Sequence, residues 1–512
     1  MTTIAPTALD VAVASAHAEL ATAAPALHGR FTEALPEAVQ VVARRLVGAA
    51  YREDLAGLRE PGRLARLADG VVRHGFDRAE VRLVRDPVRV LADLPDRIGG
   101  RDLAVELADA AVNLALAYAR RPAPSHSTVE RATALSPDDQ TVYFERLSTE
   151  GHNLHPCGRT RLGWDTSDVL AYDLEAPITR LGFVAVRDRL HLGDDMFGGQ
   201  DGFKVVPVHP WQRDSVLPAR YGDLLRDGDL RILDDEIDAV PTAALRTLLL
   251  PGTGEYLKVS LDIQVTSTRR SISVASTRNG PALSRLLHRL VEDDRLILLD
   301  ETAGAAVPIG SGRDLSAIRR TGLAGRLRPG ERAIPGGALP FLLGDLVTGD
   351  PGDWLRAYAR LLIPPLMHLT ARGVALEAHL QNCLPTFVGG RPHRLALRDF
   401  AGLRLHPPRL AAAGHRIELW PGSVIGTDDA DVLRAKIGYT LFQAHLGEIV
   451  LRLDIDEQRA WRIIREVLDE SCTGDDHAAF TAPTVPHKAL VRMRLSGPGD
   501  LHVPVRNALY AP

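Results

Sequence analysis

The stretch LEAHLQNCLPTFVGGRPHRLALRDFAG, residues 376–402, decides which fold this chain can adopt. Apolar and polar residues alternate from Val374 to Gln381, which is the period of a half-buried β-strand. The pair Gly389–Gly390 then predicts a tight turn, and RLALRDF, residues 394–400, predicts the returning strand. The stretch therefore predicts a β-hairpin whose polar residues gather at one end.

These polar residues form a candidate metal and nucleotide site. Glu377, His379 and Gln381 share one face of the first predicted strand, while Asn382 and Asp399 flank the loop. Carboxylate and amide oxygens are ligands that Mg²⁺ prefers, with phosphate oxygens completing its octahedron. Kinases hold their metals with a similar Asn and Asp. The alternative is a purely structural pair of Glu377 and His379, which the return of Asn382 and Asp399 to the same end disfavours.

Upstream, a second predicted strand ends in hydroxyls and arginines. Apolar and polar residues alternate from Leu257 to Thr266, and the strand end carries Ser267, Thr268, Arg269 and Arg270. Hydroxyl donors and guanidiniums at a strand end suit a polyphosphate. The phosphate-loop pattern GxxxxGK[ST] is absent from the sequence. A hydroxyl-rich turn with solvated arginines is the alternative interpretation.

A third cluster lies in GHNLHPCGRTRLGW, residues 151–164, which has the Gly and Pro content of a loop. It gathers His152, His155, Arg159 and Arg161. Arginine forks bind carboxylate or phosphate oxygens in pairs, and histidine donates to the same oxygens. We predict that these four residues bind a polycarboxylate substrate, because an apolar acyl pocket would leave their charges unbalanced. A solvated basic loop is the alternative.

The rest of the chain predicts an α+β protein of several domains. Residues 1–120 have the periodicity of helices, and RRPAPSHS, 120–127, resembles a junction. Gly and Pro crowd residues 325–340, a second predicted junction. We therefore divide the chain into domains at 1–125, 126–335 and 336–512. FKVVPVHPW, 203–211, predicts an edge strand, DWLRAYARLLIPPLMHLTARG a helix disturbed at its two prolines and closed by Gly373, and SAIRR a helix carrying Arg319 and Arg320.

Length, charge and cysteine count exclude several classes of function. The chain has 512 residues, is 45% hydrophobic and carries a formal net charge of −4. Such a charge gives no bulk attraction to nucleic acid or anionic membrane. The N-terminus lacks the basic region of a signal peptide, no apolar run is long enough to span a bilayer, and three scattered cysteines form neither a disulfide framework nor a zinc site. We therefore expect a cytoplasmic protein without nucleic-acid or membrane partners.

Lysine is rare in this chain. The 61 basic residues include only four lysines, Lys204, Lys258, Lys436 and Lys488. A lysine retained where arginine is used almost everywhere can mark a site that needs a compact ammonium. Chance retention at the surface is the equal alternative.

The motifs in their order along the chain resemble the IucA/IucC family, the NRPS-independent siderophore (NIS) synthetases. They are GHNLHPCGRTRLGW, VPVHPWQ, LKVSLDIQVTSTRRSIS, GVALEAHLQN, RDFAG and KALVRMRL, between about 150 and 495. The resemblance implies a hand-like architecture with a helical thumb, β-rich fingers and a palm that carries the kinase-like hairpin, usually as a homodimer. It also implies a ligase that uses ATP and Mg²⁺ to adenylate citrate or a citryl or succinyl derivative. An amine, hydroxylamine or alcohol then displaces AMP.

The resemblance also implies roles for individual residues. The implied ATP-binding residues are Ser267, Thr268, Arg270, Arg319, His379, Asn382 and Asp399. Glu377 and Asp399 would hold Mg²⁺, and the implied catalytic residues are His155, Arg270 and His379. A small-molecule phosphotransferase and a non-catalytic carboxylate- or siderophore-binding protein are the alternative functions. Neither explains the hydroxyl–arginine turn together with the histidine–arginine loop.

Overall fold

A computed structural model of the chain describes residues 6–60, 62–83, 85–121, 128–266, 268–497 and 499–511. Most of the first predicted junction, RRPAPSHS, lies outside these residues. The domain boundary at 125, the other boundary and the hand-like layout therefore stay predictions. The α+β class is confirmed, because helices and antiparallel sheets alternate along the described chain.

The N-terminal part is mainly helical, as predicted, but it also contains a short β-hairpin that the sequence reading missed. The helices pack around one apolar cluster that includes Phe31, Leu46 and Leu107. The elements are α1 (Ala8–Ala23), α2 (Pro25–Arg52), β1 (Ala68–Arg73), β2 (Ala79–Leu83), α3 (Pro87–Arg97), α4 (Arg101–Arg120), α5 (Thr128–Ala132), α6 (Pro137–Glu145) and α7 (Thr166–Tyr172).

The middle part is an eight-stranded antiparallel sheet with two helices. Its strand order is β4-β12-β13-β8-β7-β6-β3-β5. The elements are β3 (Thr179–Arg187), β4 (Leu192–Gly193), β5 (Phe203–Val208), α8 (Leu217–Arg226), β6 (Leu230–Pro241), β7 (Thr247–Leu250), β8 (Glu255–Val259), β9 (Leu261–Val265), β10 (Thr268–Arg270), α9 (Val274–Leu290), β11 (Leu296–Leu298), β12 (Glu301–Ala306) and β13 (Ser316–Thr321). The predicted edge strand is confirmed, because β5 ends the sheet.

The strand predicted from Leu257 to Thr266 is in fact two strands, β8 and β9. The break falls at Ser260, whose N–H donates to Ser316 and whose hydroxyl donates to the carbonyl of Arg313. The chain can therefore leave the large sheet at Ser260 without an unsatisfied backbone group. Beyond the break, β9 pairs with β10 and its apolar face packs against the N-terminal helices.

The helix predicted for SAIRR is wrong, because residues 316–321 form strand β13. Arg320 pairs with Tyr256 and Arg319 with Leu257 of β8. Since side chains alternate between faces along a strand, Arg319 and Arg320 point to opposite faces of the sheet. This difference decides below which of them faces the candidate site.

The C-terminal part packs helices against a second sheet, in the order β11-β17-β16-β14. Its elements are β14 (Arg332–Ala333), α10 (Leu339–Leu346), α11 (Pro351–Ala371), β15 (Val374–Ala375), β16 (Cys383–Val388), β17 (Arg391–Leu397), β18 (Arg404–Leu405), α12 (Pro407–Ala412), α13 (Ala430–Ile437), α14 (Gly447–Arg452), α15 (Glu457–Ser471), α16 (Gly474–Phe480), β19 (Thr484–Lys488), α17 (Arg492–Ser496) and β20 (His502–Arg506). A π-helical segment, Gly438–Leu446, connects α13 to α14. Helix α11 continues through Pro364 and Pro365, and Gly373 follows it with φ 94°, the left-handed backbone that glycine adopts readily.

The predicted hairpin exists, but it lies further along the chain than the alternation suggested. Strands β16 and β17 form it, whereas residues 376–382 are a compact loop between β15 and β16. The alternation misled because this loop buries Leu376, Ala378 and Leu380 in the largest apolar cluster without pairing as a strand. Within the described residues, no helix combines the length and the apolar character that a membrane span needs.

Candidate functional site

Two carboxylates stand at the end of the β16–β17 hairpin. Asp399 lies two positions after the end of β17. Its φ of 63° and ψ of 79° give it a left-handed backbone that is uncommon outside glycine. Asn382 donates its side-chain N–H to the Glu377 carbonyl at 3.1 Å and accepts the Arg398 N–H at its own carbonyl, also at 3.1 Å. Asn382 therefore fixes the loop that carries Glu377 to the strand that carries Asp399.

A glycine gives the Glu377 carboxylate its room. A Cβ atom at Gly402 would lie 2.0 Å from one Glu377 carboxylate oxygen. The glycine of RDFAG is thus required by close contact with Glu377, and its φ is not in the left-handed range.

Each carboxylate is paired with one of the four lysines. Lys258 Nζ, on β8, donates to both Asp399 carboxylate oxygens at 2.7 and 2.8 Å. Lys436 Nζ, on α13, donates to Glu377 Oε1. Burial opposes ionisation of both acids, but the ammoniums outweigh it, so the pKa of Asp399 is held far below its usual value and that of Glu377 falls to about 2.

The donor set at these two acids suits a hard divalent cation, because it consists of carboxylate oxygens. The described residues contain no group of three or more His, Cys, Asp or Glu side chains arranged to hold a metal. A cation at Glu377 and Asp399 would therefore take its remaining ligands from water or from a bound substrate.

Three arginines face this site, and none of them has a carboxylate partner among the described residues. Arg246 donates to the backbone carbonyls of Arg270 and Ser271. Arg270 donates to the Val265 carbonyl and the Thr266 hydroxyl, both at 3.3 Å. Among the described residues, no carboxylate lies within ion-pair distance of either guanidinium.

The third, Arg320, lies over the Tyr256 ring at 4.9 Å with its Nε unpartnered. Burial lowers the pKa of Arg270 to about 9 and depresses the pKa of Arg246 and Arg320 as well. Neighbouring guanidiniums add to the effect, since Arg246 repels Arg270. The site therefore holds positive charge that the described residues leave unbalanced.

Strand register places Arg320, not Arg319, among these cations. Ile318 lies directly opposite Lys258, so Arg320, two residues further on β13, shares the face of Lys258. Arg319 points the other way, donates to the Met196 carbonyl at 2.7 Å and lies 5.2 Å from the Phe197 ring centroid. Arg319 therefore faces away from Lys258, and Arg320 is the arginine of this pair that shares its face.

The hydroxyl–arginine turn lies partly within the described residues. Ser267 lies outside the described residues, and Thr268 is exposed at the start of β10. Arg269 is exposed and pairs with Asp262 at 2.8 Å, whereas Arg270 is turned inward. Thr266, at the tip, has φ 55° and is therefore held in an unfavourable left-handed backbone.

The two arginines of the 151–164 loop are balanced from within the protein. Arg161 donates to both carboxylate oxygens of Asp173 at 3.0 and 3.2 Å. Arg159 pairs with the same Asp173 at 3.2 Å and with Glu175 at 2.8 Å. The expectation that both guanidiniums need a substrate carboxylate therefore loses its physical basis, because Asp173 and Glu175 already supply the counter-charge.

The histidines of the site share one hydrogen-bond pattern. Nδ1 accepts the backbone N–H two residues later: His152 from Leu154 at 3.2 Å, and His155 from Cys157 at 2.9 Å. His379 accepts from Gln381 at 3.3 Å. Burial lowers the pKa of His152 to about 3 and depresses that of His155 and His379.

Each of these rings is therefore neutral at pH 7 and carries its proton on Nε2. His379 and Arg270 both lie close enough to His152 to contribute to its lowered pKa, which places the loop beside the hairpin. The structure thus brings His152, His379 and Arg270 into one neighbourhood.

Sequence reasoning missed Arg246, Arg320 and a buried acid, Glu301. Glu301, on β12, has one unpartnered carboxylate oxygen, and burial raises its pKa to about 7 despite attraction from Lys258. No motif marks Arg246 or Glu301. The rarity of lysine was the available signal for Lys258 and Lys436.

Two family models match the chain, each over less than half of its length. The IucA / IucC family matches residues 185–340, and a model described as ferric iron reductase FhuF-like transporter matches residues 352–503. D-ornithine--citrate ligase of Staphylococcus aureus (strain NCTC 8325 / PS 47) is 25% identical over 77% of this chain and 73% of its own.

Two solved structures share the fold. The petrobactin biosynthesis protein AsbB from Bacillus anthracis str. Sterne superposes with a TM-score of 0.79 at 20% identity, covering 94% of this chain and 98% of that one. ATP-bound aerobactin synthetase IucA from a hypervirulent pathotype of Klebsiella pneumoniae gives a TM-score of 0.73 at 17% identity, covering 92% and 99%.

Proposed function

We propose, from the premise that this chain belongs to the IucA / IucC family, that it is an ATP- and Mg²⁺-dependent ligase of siderophore biosynthesis. It adenylates a polycarboxylic acid, namely citrate or a citryl or succinyl derivative. It then joins the acyl group to an amine, a hydroxylamine or an alcohol. The products are an amide or ester, AMP and pyrophosphate. The relative named D-ornithine--citrate ligase supports this choice of substrates.

The observation that carries the proposal is the unbalanced charge of Arg246, Arg270 and Arg320. Buried guanidiniums without carboxylates are costly unless an anion joins them. These three face the same site as Asp399, because the Asp399 carboxylate is close enough to act on the pKa of each guanidinium. A triphosphate and a polycarboxylate are anions of sufficient charge to balance them.

In the first step, a carboxylate oxygen of the acid attacks the α-phosphorus of ATP. A bond forms between that oxygen and phosphorus, the bond to the bridging oxygen breaks, and pyrophosphate leaves with the electron pair. The two reactants are both anions, so Arg270 and Arg246 lower the barrier by neutralising charge on the phosphates. A divalent cation at Glu377 and Asp399, when bound, would supply further charge neutralisation.

In the second step, the nucleophile attacks the acyl carbon, AMP leaves and the nucleophile loses a proton. His155 and His379 already carry a proton on Nε2 and use Nδ1 to accept backbone N–H groups. Neither ring is therefore placed to accept this proton, and the Nε2–H of His379 is suited to donate to a phosphate or carboxylate oxygen. The departing AMP phosphate or a free carboxylate of the substrate takes it instead.

Fewer residues recognise the polycarboxylic acid substrate than the sequence predicted. His152 remains a candidate for a substrate carboxylate, because its Nε2–H group donates without adding charge, and the substrate contact at His155 stays a prediction. Arg159 and Arg161 support the loop through Asp173 and Glu175 and do not contact the acid. A homodimer in the cytoplasm, without nucleic-acid or membrane partners, completes the proposal.

A product assay tests the proposed function. The protein is incubated with ATP, Mg²⁺, citrate and a diamine such as ornithine, and the nucleotide products are resolved by chromatography. We expect AMP and pyrophosphate in equal amounts, dependent on both citrate and the amine. ADP in place of AMP would identify a phosphotransferase, and unchanged ATP with tight citrate binding would identify a binding protein.

A further inference from the structure

All four lysines of this arginine-rich chain form ion pairs with a carboxylate. Lys204 pairs with Asp195 and Lys488 with Asp500, both in partly exposed positions. The other two, Lys258 and Lys436, pair with the two acids proposed to hold the divalent cation. This placement concerns the proposed nucleotide site and rests on the proposed function.

We propose that Lys258 and Lys436 occupy Asp399 and Glu377 as exchangeable counter-ions, so that the divalent cation binds these acids only together with a nucleotide. Without nucleotide, the ammoniums hold both carboxylates and repel the cation. When a triphosphate enters, the ammoniums move to phosphate oxygens and the carboxylates become free for the metal. The two ligands therefore bind with positive coupling.

The contacts of Lys258 make direct competition unavoidable. Its side chain is buried, and Nζ contacts both carboxylate oxygens of Asp399 at 2.7 and 2.8 Å. A metal ion bound to Asp399 would take the same oxygens, so the ammonium must first withdraw. Withdrawal without a new anion would leave an unpaired buried ammonium, which is strongly unfavourable.

Lys436 occupies Glu377 in the same way from a different part of the chain. It lies on α13, in the C-terminal part, whereas Lys258 lies on β8 of the large sheet. Nζ donates to Glu377 Oε1, and Gly402 confines the other oxygen of this carboxylate. Each proposed metal-binding acid thus has its own ammonium.

The charge of the whole site favours joint binding over binding of the metal alone. Arg246, Arg270 and Arg320 add three cations to the two lysines, against the carboxylates of Asp399 and Glu377. Glu301, the further acid beside Lys258, contributes less than a full negative charge at neutral pH because burial raises its pKa to about 7. A free divalent cation meets net repulsion here, whereas a metal bound to a polyphosphate does not.

Lysine suits an exchanging counter-ion better than arginine. Its charge sits on one nitrogen at the end of a flexible chain, while a guanidinium holds a carboxylate with two parallel hydrogen bonds. The buried pair of Arg161 with Asp173, which fixes a loop, uses arginine. The proposed metal-binding acids use lysine.

The test is direct metal binding by the full-length protein without any nucleotide. Mn²⁺ serves as the probe, because it takes the same oxygen ligands as Mg²⁺ and is detected by electron paramagnetic resonance. We expect weak binding to the wild-type protein and about 5- to 150-fold tighter binding to Lys258→Met and to Lys436→Met. Lys204→Met removes a surface lysine pair and is the matched control, with wild-type affinity expected.

Two further variants keep the test decisive. Lys258→Arg keeps the charge and should gain no Mn²⁺ affinity, whereas Lys258→Met combined with Asp399→Asn should lose the gain. Thermal unfolding checks that each variant is folded. If Lys258→Met does not fold, Lys436→Met still tests the proposal independently. The proposal is overturned when neither methionine variant gains affinity, or when the wild-type protein already binds Mn²⁺ as tightly as the variants do.

The measurement also separates this inference from the proposed function. It contains no ATP, acid or amine, so it does not depend on which reaction the protein catalyses. A protein that shows the gain in Mn²⁺ affinity but forms no AMP would contradict the proposed ligase and leave the counter-ion exchange intact.

Discussion

Two groups of buried and half-buried arginines differ in what balances their charge. In the 151–164 loop, Arg159 and Arg161 meet Asp173 and Glu175 within 3.2 Å. Within the described part of the chain, Arg246 and Arg270 donate to carbonyl and hydroxyl oxygens and have no carboxylate at ion-pair distance. The charge of the first group is balanced within the protein, whereas the charge of the second group is balanced only when an anion binds.

The difference teaches that a buried arginine indicates a ligand site only when the protein supplies no counter-charge. Both groups consist of arginines, so the residue type does not distinguish them. Their pKa directions separate them in part, since nearby acids raise the pKa of Arg159 despite burial and burial lowers that of Arg270 to about 9. Substitutions in each group of arginines test this difference.

The largest effect is expected on stability, from Asp173→Asn. The side chain is fully buried and serves two guanidiniums, so the neutral amide leaves them without most of their counter-charge. We expect the free energy of unfolding to fall by about 3–5 kcal/mol, measured by urea denaturation. The folded fraction should use citrate as the wild type does. A fully stable variant with a raised KM for the acid would show that this loop faces the substrate.

Arg270→Met tests the other group and should act on catalysis. Losing one charge-assisted contact of about 1.5–3 kcal/mol should lower kcat/KM for ATP by about 10- to 150-fold. Stability should not fall, because the removed charge has no partner carboxylate. Arg269→Met is the matched control, since that exposed guanidinium pairs with Asp262 and such pairs contribute about 0–1 kcal/mol. Equal losses in both variants would contradict the assignment.

A smaller effect should separate Arg320 from Arg319. Arg320 shares the face of Lys258, so Arg320→Met should reduce kcat/KM for ATP roughly tenfold by removing a nearby charge. Arg319→Met should change it little, because Arg319 points to the opposite face of β13. Steady-state kinetics of both variants at several ATP concentrations provide the measurement. The reverse order of effects would mean that the register of β13 against β8 is different.

The smallest effect concerns acid pH. Arg159 and Arg161 outweigh burial and lower the pKa of Asp173 to about 2, below its ordinary value of 3.8. A carboxyl group whose pKa is lower in the folded protein than in the unfolded protein stabilises the fold at pH values above its pKa in the unfolded protein. This contribution is lost as pH falls through its pKa in the folded protein. We therefore expect wild-type stability to decline between about pH 4 and pH 2, and Asp173→Asn to show a flatter decline in the same window. Parallel declines in thermal unfolding temperature would argue against this origin.

Much of the candidate site could be found in the sequence because its residues lie in short motifs. Glu377, Asn382 and Asp399 were identified as a group, and the structure joins them through Asn382. The edge strand β5 and the helix that Gly373 follows were also predicted, although the expected disturbance at Pro364 and Pro365 is wrong, because α11 continues through both prolines. Local alternation failed for residues 376–382, since a loop that buries every second residue has the same pattern as a strand.

The sequence by itself determined the α+β class, the order of the motifs and the residue types that could bind phosphate, carboxylate or metal. The tertiary structure alone decided which charges are already balanced. Arg161 and Asp173 are 12 residues apart, but Lys258 and Asp399 are 141 apart, and their pairing depends on how β8 approaches the hairpin. Ion pairing depends on distance in space and on the local dielectric, and neither quantity is encoded by residue type or spacing along the chain.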